Sequence, residues 1–176
     1  MPNASNRVKR SIVLVGLMGA GKTTIGRRLA KRLHLPFADS DVEIEAAAGM
    51  PVPEIFERFG EAHFRDGERR VIARLVEGPP GVIATGGGAF MDGDTRALIL
   101  ERCTAIWLDG NVDMLAERAA RSGHRPLLNT ADPKATLRAL AEIRNPVYAE
   151  AHHKVTSDDV SHEYTVERIV ALLANA

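Results

Sequence analysis

The chain has 176 residues, enough for one domain with a sizeable buried core. Its 23 Lys and Arg balance 23 Asp and Glu, which argues against a general nucleic-acid or membrane-surface binder, since such proteins need a basic surplus. A single cysteine, Cys103, rules out an internal disulfide, and no apolar run approaches the ~20 residues that span a bilayer, so a cytoplasmic enzyme or binding domain is expected; a monomer is the expected state.

In chain order, MPNASNRVKR (residues 1–10) is polar, lacks the apolar stretch of a signal peptide and reads as a flexible extension. Residues 11–176 read as a single domain. SIVLVG (11–16) is short, apolar on consecutive positions and rich in Val and Ile, the pattern of a strand buried on both faces. Residues 21–34 place Ile25, Leu29 and Leu33 at helical spacing. PFADS (36–40) reads as a second strand, and 61–77, with Phe64, Val71, Ile72 and Leu75, as a helix. GVIATG (81–86) and TAIWLD (104–109) are further strands around a helix over 94–102, after which Cys103 reads as a small buried apolar residue. Helices are expected over 112–121, 133–151 and 163–174, and a last strand at HKVTS (153–157). Ser122–Pro133 is a stretch of turn formers, expected to be a mobile lid. This alternation predicts an α/β fold, a five-stranded mostly parallel sheet flanked by helices, with ligands outside the carboxyl ends of the strands.

GLMGAGKT, Gly16 to Thr23, matches G-x-x-x-x-G-K-[ST] at every fixed position, between a strand and a helix. Glycines let successive N–H groups point inward at phosphate oxygens, and the helix adds its positive end. Gly19, Ala20, Gly21, Lys22, Thr23, Thr24, Ile25 and Gly26 are the candidate nucleotide contacts. Lys22 should reach the terminal phosphates, and the Thr23 hydroxyl should ligate Mg²⁺. The acidic partner of that cation has two candidates. Asp109 ends a strand, though Asp-Gly-Asn reads better as a turn and cap. Asp39 and Asp41, if extended, point to the same side of the chain and share one pocket; alternatively they cap the helix that follows.

Thr85-Gly86-Gly87-Gly88 places three glycines directly after a strand, more than a plain turn needs, and reads as a loop that lets backbone approach a ligand. Arg65 lies on a helix three residues before Glu68, which could orient it. Arg144 precedes Asn145-Pro146 and is expected near a helix break. Arg125 falls within the expected lid. Gly67, inside a helix, should cost ~1 kcal/mol relative to alanine.

Taken together, GLMGAGKTTIGRRLA, FADSDVEIE, IFERFGEAHFR, ATGGGA, RPLL and IRNPVY resemble the shikimate kinase family over residues 11 to about 150. The resemblance implies a P-loop kinase fold with a lid and transfer of the γ-phosphate of ATP to the 3-hydroxyl of shikimate, with Mg²⁺. It implies that Asp39 holds Mg²⁺ with Thr23, that Asp41 binds the ring hydroxyls and acts as base, and that Arg65 and Arg144 grip the carboxylate. Gly86, Gly87 and Gly88 would line the substrate, Arg125 would close on the phosphates, and Arg118 would stack on adenine. The segment Val155–Glu163 should correspond to the adenine loop, without a residue-by-residue match. Another small-molecule kinase on the same scaffold, of the gluconate or nucleoside monophosphate type, and a nucleotide-binding regulatory domain are the alternatives.

Overall fold

Residues Ile12–Val15 (β1) are each at most 1% exposed although successive side chains point to opposite faces. The sheet is therefore covered on both sides, and β1 lies at its centre. In this computed structural model, which describes residues 8–122, 132–157 and 160–175, the other strands are Phe37–Asp39 (β2), Val82–Ala84 (β3), Thr104–Asp109 (β4) and His153–Thr156 (β5). The order is β2-β3-β1-β4-β5, and every pairing is parallel. Ile12 lies opposite Val82 on one side and Thr104 on the other. Because all strands run the same way, the chain after β1, β2, β3, β4 and β5 emerges at one edge of the sheet, and the candidate chemistry collects there.

The helices are Lys22–Leu33 (α1), Ser40–Ala48 (α2), Val52–Glu77 (α3), Gly93–Arg102 (α4), Val112–Ser122 (α5), Pro133–Tyr148 (α6) and His162–Ala174 (α7). Each predicted strand is present; β4 keeps its predicted bounds and the others are shortened by one or two residues at one or both ends. The first part of α3 has no counterpart among the predicted elements, and α2 is the helix that the capping alternative for Asp39 and Asp41 requires. Only Ser40 and Ile44 of α2 are buried, so it carries no clear apolar period. Its ends define it instead: the Asp39 side chain accepts from the N–H groups of Asp41 and Val42, and Gly49 closes it in the left-handed conformation. Helix α3 is two helical pieces meeting at Gly60, whose φ of 83° and ψ of 171° are not helical. Pro53 sits in its first turn, where a missing N–H costs nothing. Helix α6 runs through Pro146 and ends at Tyr148, so Arg144 lies inside a helix that is not broken before the proline, and ends three residues earlier than predicted.

Two apolar clusters form. The larger unites β1, β3 and β4 with α1, α4, α6 and α7; it includes Cys103, which is 1% exposed, as its apolar reading requires. A smaller one joins Ile44 of α2 to Ile55, Phe64 and Val71 of α3. The packed chain begins before residue 11: Val8 packs against the larger core, and Arg10 donates to the Glu101 carbonyl. The central part of the expected lid, including Arg125, lies outside the described residues.

Candidate active site

Gly16, Gly19 and Gly21 of the phosphate loop all have positive φ, which an L side chain rarely adopts. Space forbids a side chain as well. A Cβ on Gly16 would lie 2.5 Å from the Leu108 carbonyl oxygen, and one on Gly19 would collide with the Leu115 carbonyl of α5. The loop is thus pressed between β1 and the chain around β4, and it leads directly into α1, whose first N–H groups face the site. Lys22 is buried and donates to the carbonyls of Gly16 at 2.5 Å and Leu17 at 3.0 Å, which ties its ammonium to its own loop.

Asp39 ends β2 and performs two tasks with two oxygens. Oδ1 caps α2 through the Asp41 and Val42 N–H groups, while Oδ2 accepts from Thr23 Oγ1 at 2.6 Å. Of the two alternatives the extended one fails beyond Asp39 and the capping one holds: the cap at Asp39 turns the chain into a helix at Ser40, and Asp41 sits in its first turn. Asp39 and Asp41 nevertheless line the same cavity, because the first turn of a capped helix folds back over its cap. Asp109 accepts from the Gly110 N–H and pairs with Lys154, and the cap of α5 is Asn111, whose Oδ1 accepts from Asp113 and Met114 N–H.

The three glycines after β3 prove to be a seat for charged side chains. A Cβ on Gly86 would lie 2.9 Å from Asp41 Oδ1 and 3.2 Å from Glu68 Oε2. One on Gly87 would lie 3.0 Å from Arg144 Nη1, and one on Gly88 2.5 Å from Arg65 Nη2. Residues from α2, α3 and α6 thus meet on three consecutive backbone positions. Arg65 donates to Glu68 at 2.9 Å and to Glu61 at 3.4 Å, so both acids offset its charge. Glu68 is 3% exposed and Arg144 6%, and Glu68 Oε2 and Arg144 Nη1 have no hydrogen-bond partner. Burial pushes the Glu68 carboxyl above its ordinary value; the Arg65 guanidinium opposes this, and Asp41 adds to it.

The loop is held by residues that sequence reasoning did not single out. The Gly86 N–H donates to Ser40 Oγ at 3.2 Å, and Thr85 Oγ1 donates to the Leu14 carbonyl at 2.8 Å. The Tyr148 hydroxyl donates to the Gly87 carbonyl. Ser40 and Tyr148 lie within stretches that were recognised as motifs, DSD and RNPVY, yet nothing in the order of letters says that they would reach the glycines. The segment after β5 adds Ser157, which donates to the Ala20 and Asp109 carbonyls and so braces the phosphate loop, and His162 at the start of α7. His162 lines the cavity with Arg118; burial holds it below its ordinary value, and Arg28 and Arg118 add to the effect.

One cavity of about 590 Å³ is lined by Gly19, Gly21, Lys22, Thr23 and Thr24 of the phosphate half, by Asp39, Asp41, Gly86 and Gly87, and by Arg118 and His162; Arg65, Gly88 and Arg144 are not part of its lining, and Arg144 reaches it only through its contact with Gly87. Of the expected nucleotide contacts, Ala20, Ile25 and Gly26 are buried beneath it: Ala20 by loop packing, Ile25 in the core, and Gly26 against Phe37, whose ring would lie 2.7 Å from a Cβ there.

A phosphate loop at the carboxyl edge of a five-stranded parallel sheet, facing an acid and arginines, defines a P-loop kinase. The shikimate kinase family model matches residues 18–174. A shikimate kinase of Bradyrhizobium diazoefficiens is 58% identical over 93% of this chain and 79% of its own, and one of Caulobacter vibrioides is 54% identical over 95% and 84%. The structure of the shikimate kinase of Acinetobacter baumannii in complex with shikimate superposes with a TM-score of 0.95 at 38% identity, covering 99% of this chain and 98% of the other. A gluconokinase of Sinorhizobium meliloti, at 20% identity and a TM-score of 0.65, shares the fold. The chain belongs to the shikimate kinase family.

Proposed function

We propose that the chain transfers the γ-phosphoryl group of ATP to the 3-hydroxyl of shikimate, with the acceptor bound over Gly86–Gly88. The observation that carries this reading is the meeting of Asp41, Arg65 and Arg144 on that loop, next to the phosphate loop: Gly87 would bring a Cβ within 3.8 Å of the Gly16 carbonyl oxygen. Two guanidinium groups suit a carboxylate, since each offers parallel donors in a fixed plane. The orphaned Nη1 of buried Arg144 gains a partner when such a group binds. A ligand without the acid leaves it unpaired, so the site selects for an acid.

Asp41 takes up or orients the proton of the acceptor hydroxyl. Lys22 leaves its loop carbonyls for the terminal phosphates, and the α1 N-terminus and loop N–H groups meet the charge that spreads over the transferring group. Thr23 Oγ1 and Asp39 Oδ2, 2.6 Å apart, are hard oxygen donors beside the phosphate end and suit Mg²⁺. Among the described residues no three acidic, His or Cys side chains cluster to hold a metal, which fits a cation that keeps waters and phosphate oxygens as its other ligands. Bound there, Mg²⁺ would neutralise charge on the phosphates. Arg118 and His162 flank the cavity where a base would lie, and Arg125 is retained as the arginine that closes on the phosphates. The residues around Arg125 would act as a lid, excluding water. The enzyme would work as a monomer in the cytoplasm.

The test is ADP release in a coupled assay with shikimate, shikimate methyl ester, gluconate or no acceptor. Rapid release with shikimate alone is expected. Equal rates for acid and ester would end the carboxylate argument; release with gluconate alone would move the chain to a sugar-acid kinase.

A further inference from the structure

Tyr148 is the last residue of α6, is 0% exposed and has no part in the proposed chemistry. Its ring lies against Trp107 of β4, with centroids 6.0 Å apart at 40°. Trp107 in turn touches the phosphate-loop entrance, since a Cβ on Gly16 would lie 3.4 Å from Trp107 Cδ1. This wedge of two aromatic rings holds the phenol at the underside of the triglycine loop, where the hydroxyl donates to the Gly87 carbonyl. Arg144, one helical turn earlier on the same face of α6, also lies against Gly87, where a Cβ would meet its Nη1 at 3.0 Å. Gly87 thus receives both a hydrogen bond and a guanidinium from α6. Burial pushes the phenol up to about 12, with the Arg144 guanidinium opposing, so it stays a donor throughout the working pH range.

We propose that Tyr148 is a positioning residue for the acceptor: by holding the Gly87 carbonyl it fixes the loop as the seat of Arg144, and so sets where the acceptor carboxylate is gripped. The proposal rests on the reading of the site given above. A purely structural tyrosine would affect both substrates alike through stability. A positioning tyrosine affects the acceptor and spares the nucleotide, because Lys22 and its loop are tied by their own carbonyls.

The experiment compares wild type, Tyr148→Phe and Ile99→Val in steady-state kinetics with ATP and shikimate, each with a thermal melt. Ile99 is a buried core residue of α4 and controls for lost stability. Tyr148→Phe keeps the ring and deletes the donor. We expect its KM for shikimate to rise about tenfold, with the KM for ATP within twofold and kcat within threefold, the size expected for one unmade buried hydrogen bond. Ile99→Val should move neither KM. An unchanged shikimate KM in Tyr148→Phe, or equal rises in both KM values, overturns the proposal. Should Tyr148→Phe not fold, Gly87→Ala carries the test, since its Cβ pushes on Arg144 without touching the ring; unchanged shikimate KM there overturns it too. A wild type that does not turn over shikimate at all would instead sink the functional reading beneath it.

Discussion

The phosphate and acceptor halves of the site touch at Gly87, yet they are built on different principles. The phosphate half is local. One continuous stretch, Gly16 to Thr23, supplies loop, lysine, hydroxyl and helix end; Lys22 is tied to its own backbone, and from outside the side chain of Asp39 accepts from Thr23 and that of Ser157 donates to Ala20. The acceptor half is assembled from α2, α3, α6 and the chain after β3, and side chains perform its work on a backbone stripped of side chains. The first needs correct φ and ψ at a few glycines. The second needs four distant segments to arrive together, and it contains the buried, incompletely paired charges Glu68 and Arg144. Binding of phosphate is thus a property of a motif; choice of acceptor is a property of the fold.

That contrast is open to direct attack. The largest effect is expected on the phosphate side: Lys22→Ala should lower kcat about 10³-fold at saturating shikimate while leaving shikimate affinity within a few-fold, read by steady-state kinetics and calorimetry. A large loss of shikimate affinity would mean that the halves are not separable. Next, Arg144→Ala should raise the KM for shikimate about 100-fold with little change in that for ATP. An equal loss for ATP would show that α6 supports the phosphate loop as well.

A third test concerns stability and pH. Glu68 has its pKa raised by folding above an ordinary 4.5, so protonation favours the folded state. Its contribution is full below 4.5 and is lost as pH rises through the folded value. Glu68→Gln, which mimics the protonated form, should therefore melt higher than wild type at about pH 8 and lose that advantage near about pH 4. Its activity should fall, because Arg65 keeps an acceptor there but loses the negative charge that offsets its own. A pH-independent difference in melting would remove the charge from the explanation. The smallest effect lies away from the cavity: a Cβ on Gly67 meets nothing within 4 Å, so Gly67→Ala should gain ~1 kcal/mol in denaturant unfolding without altering either KM. Lost activity there would show that α3 must yield during turnover.

Much of this could be read from the order of residues. The apolar runs of β1, β3 and β4 are continuous because the sheet is covered on both faces, and that pattern is visible without coordinates. The phosphate loop is legible for the same reason that it is local. Helix α2 is legible only as one of two alternatives, because caps rather than an apolar stripe define it, and capping and cation binding by Asp39 are not exclusive, since its two oxygens allow both. The second half of α3 follows its apolar spacing; the first half is hidden by Pro51, Pro53 and the non-helical Gly60.

What the residue order settles is the short-range part: which segments are strands, where glycine permits a phosphate cradle, and that acids and arginines exist in suggestive company. Only the tertiary structure decides that Gly86, Gly87 and Gly88 are bare because Asp41, Glu68, Arg144 and Arg65 lie on them, and that Ser40, Tyr148, Ser157 and His162 brace or border the site. The reason is physical. Backbone conformation depends on neighbours in the chain, whereas the packing of the Arg144 guanidinium on Gly87, 57 positions away, depends on a parallel sheet that delivers distant segments to one edge.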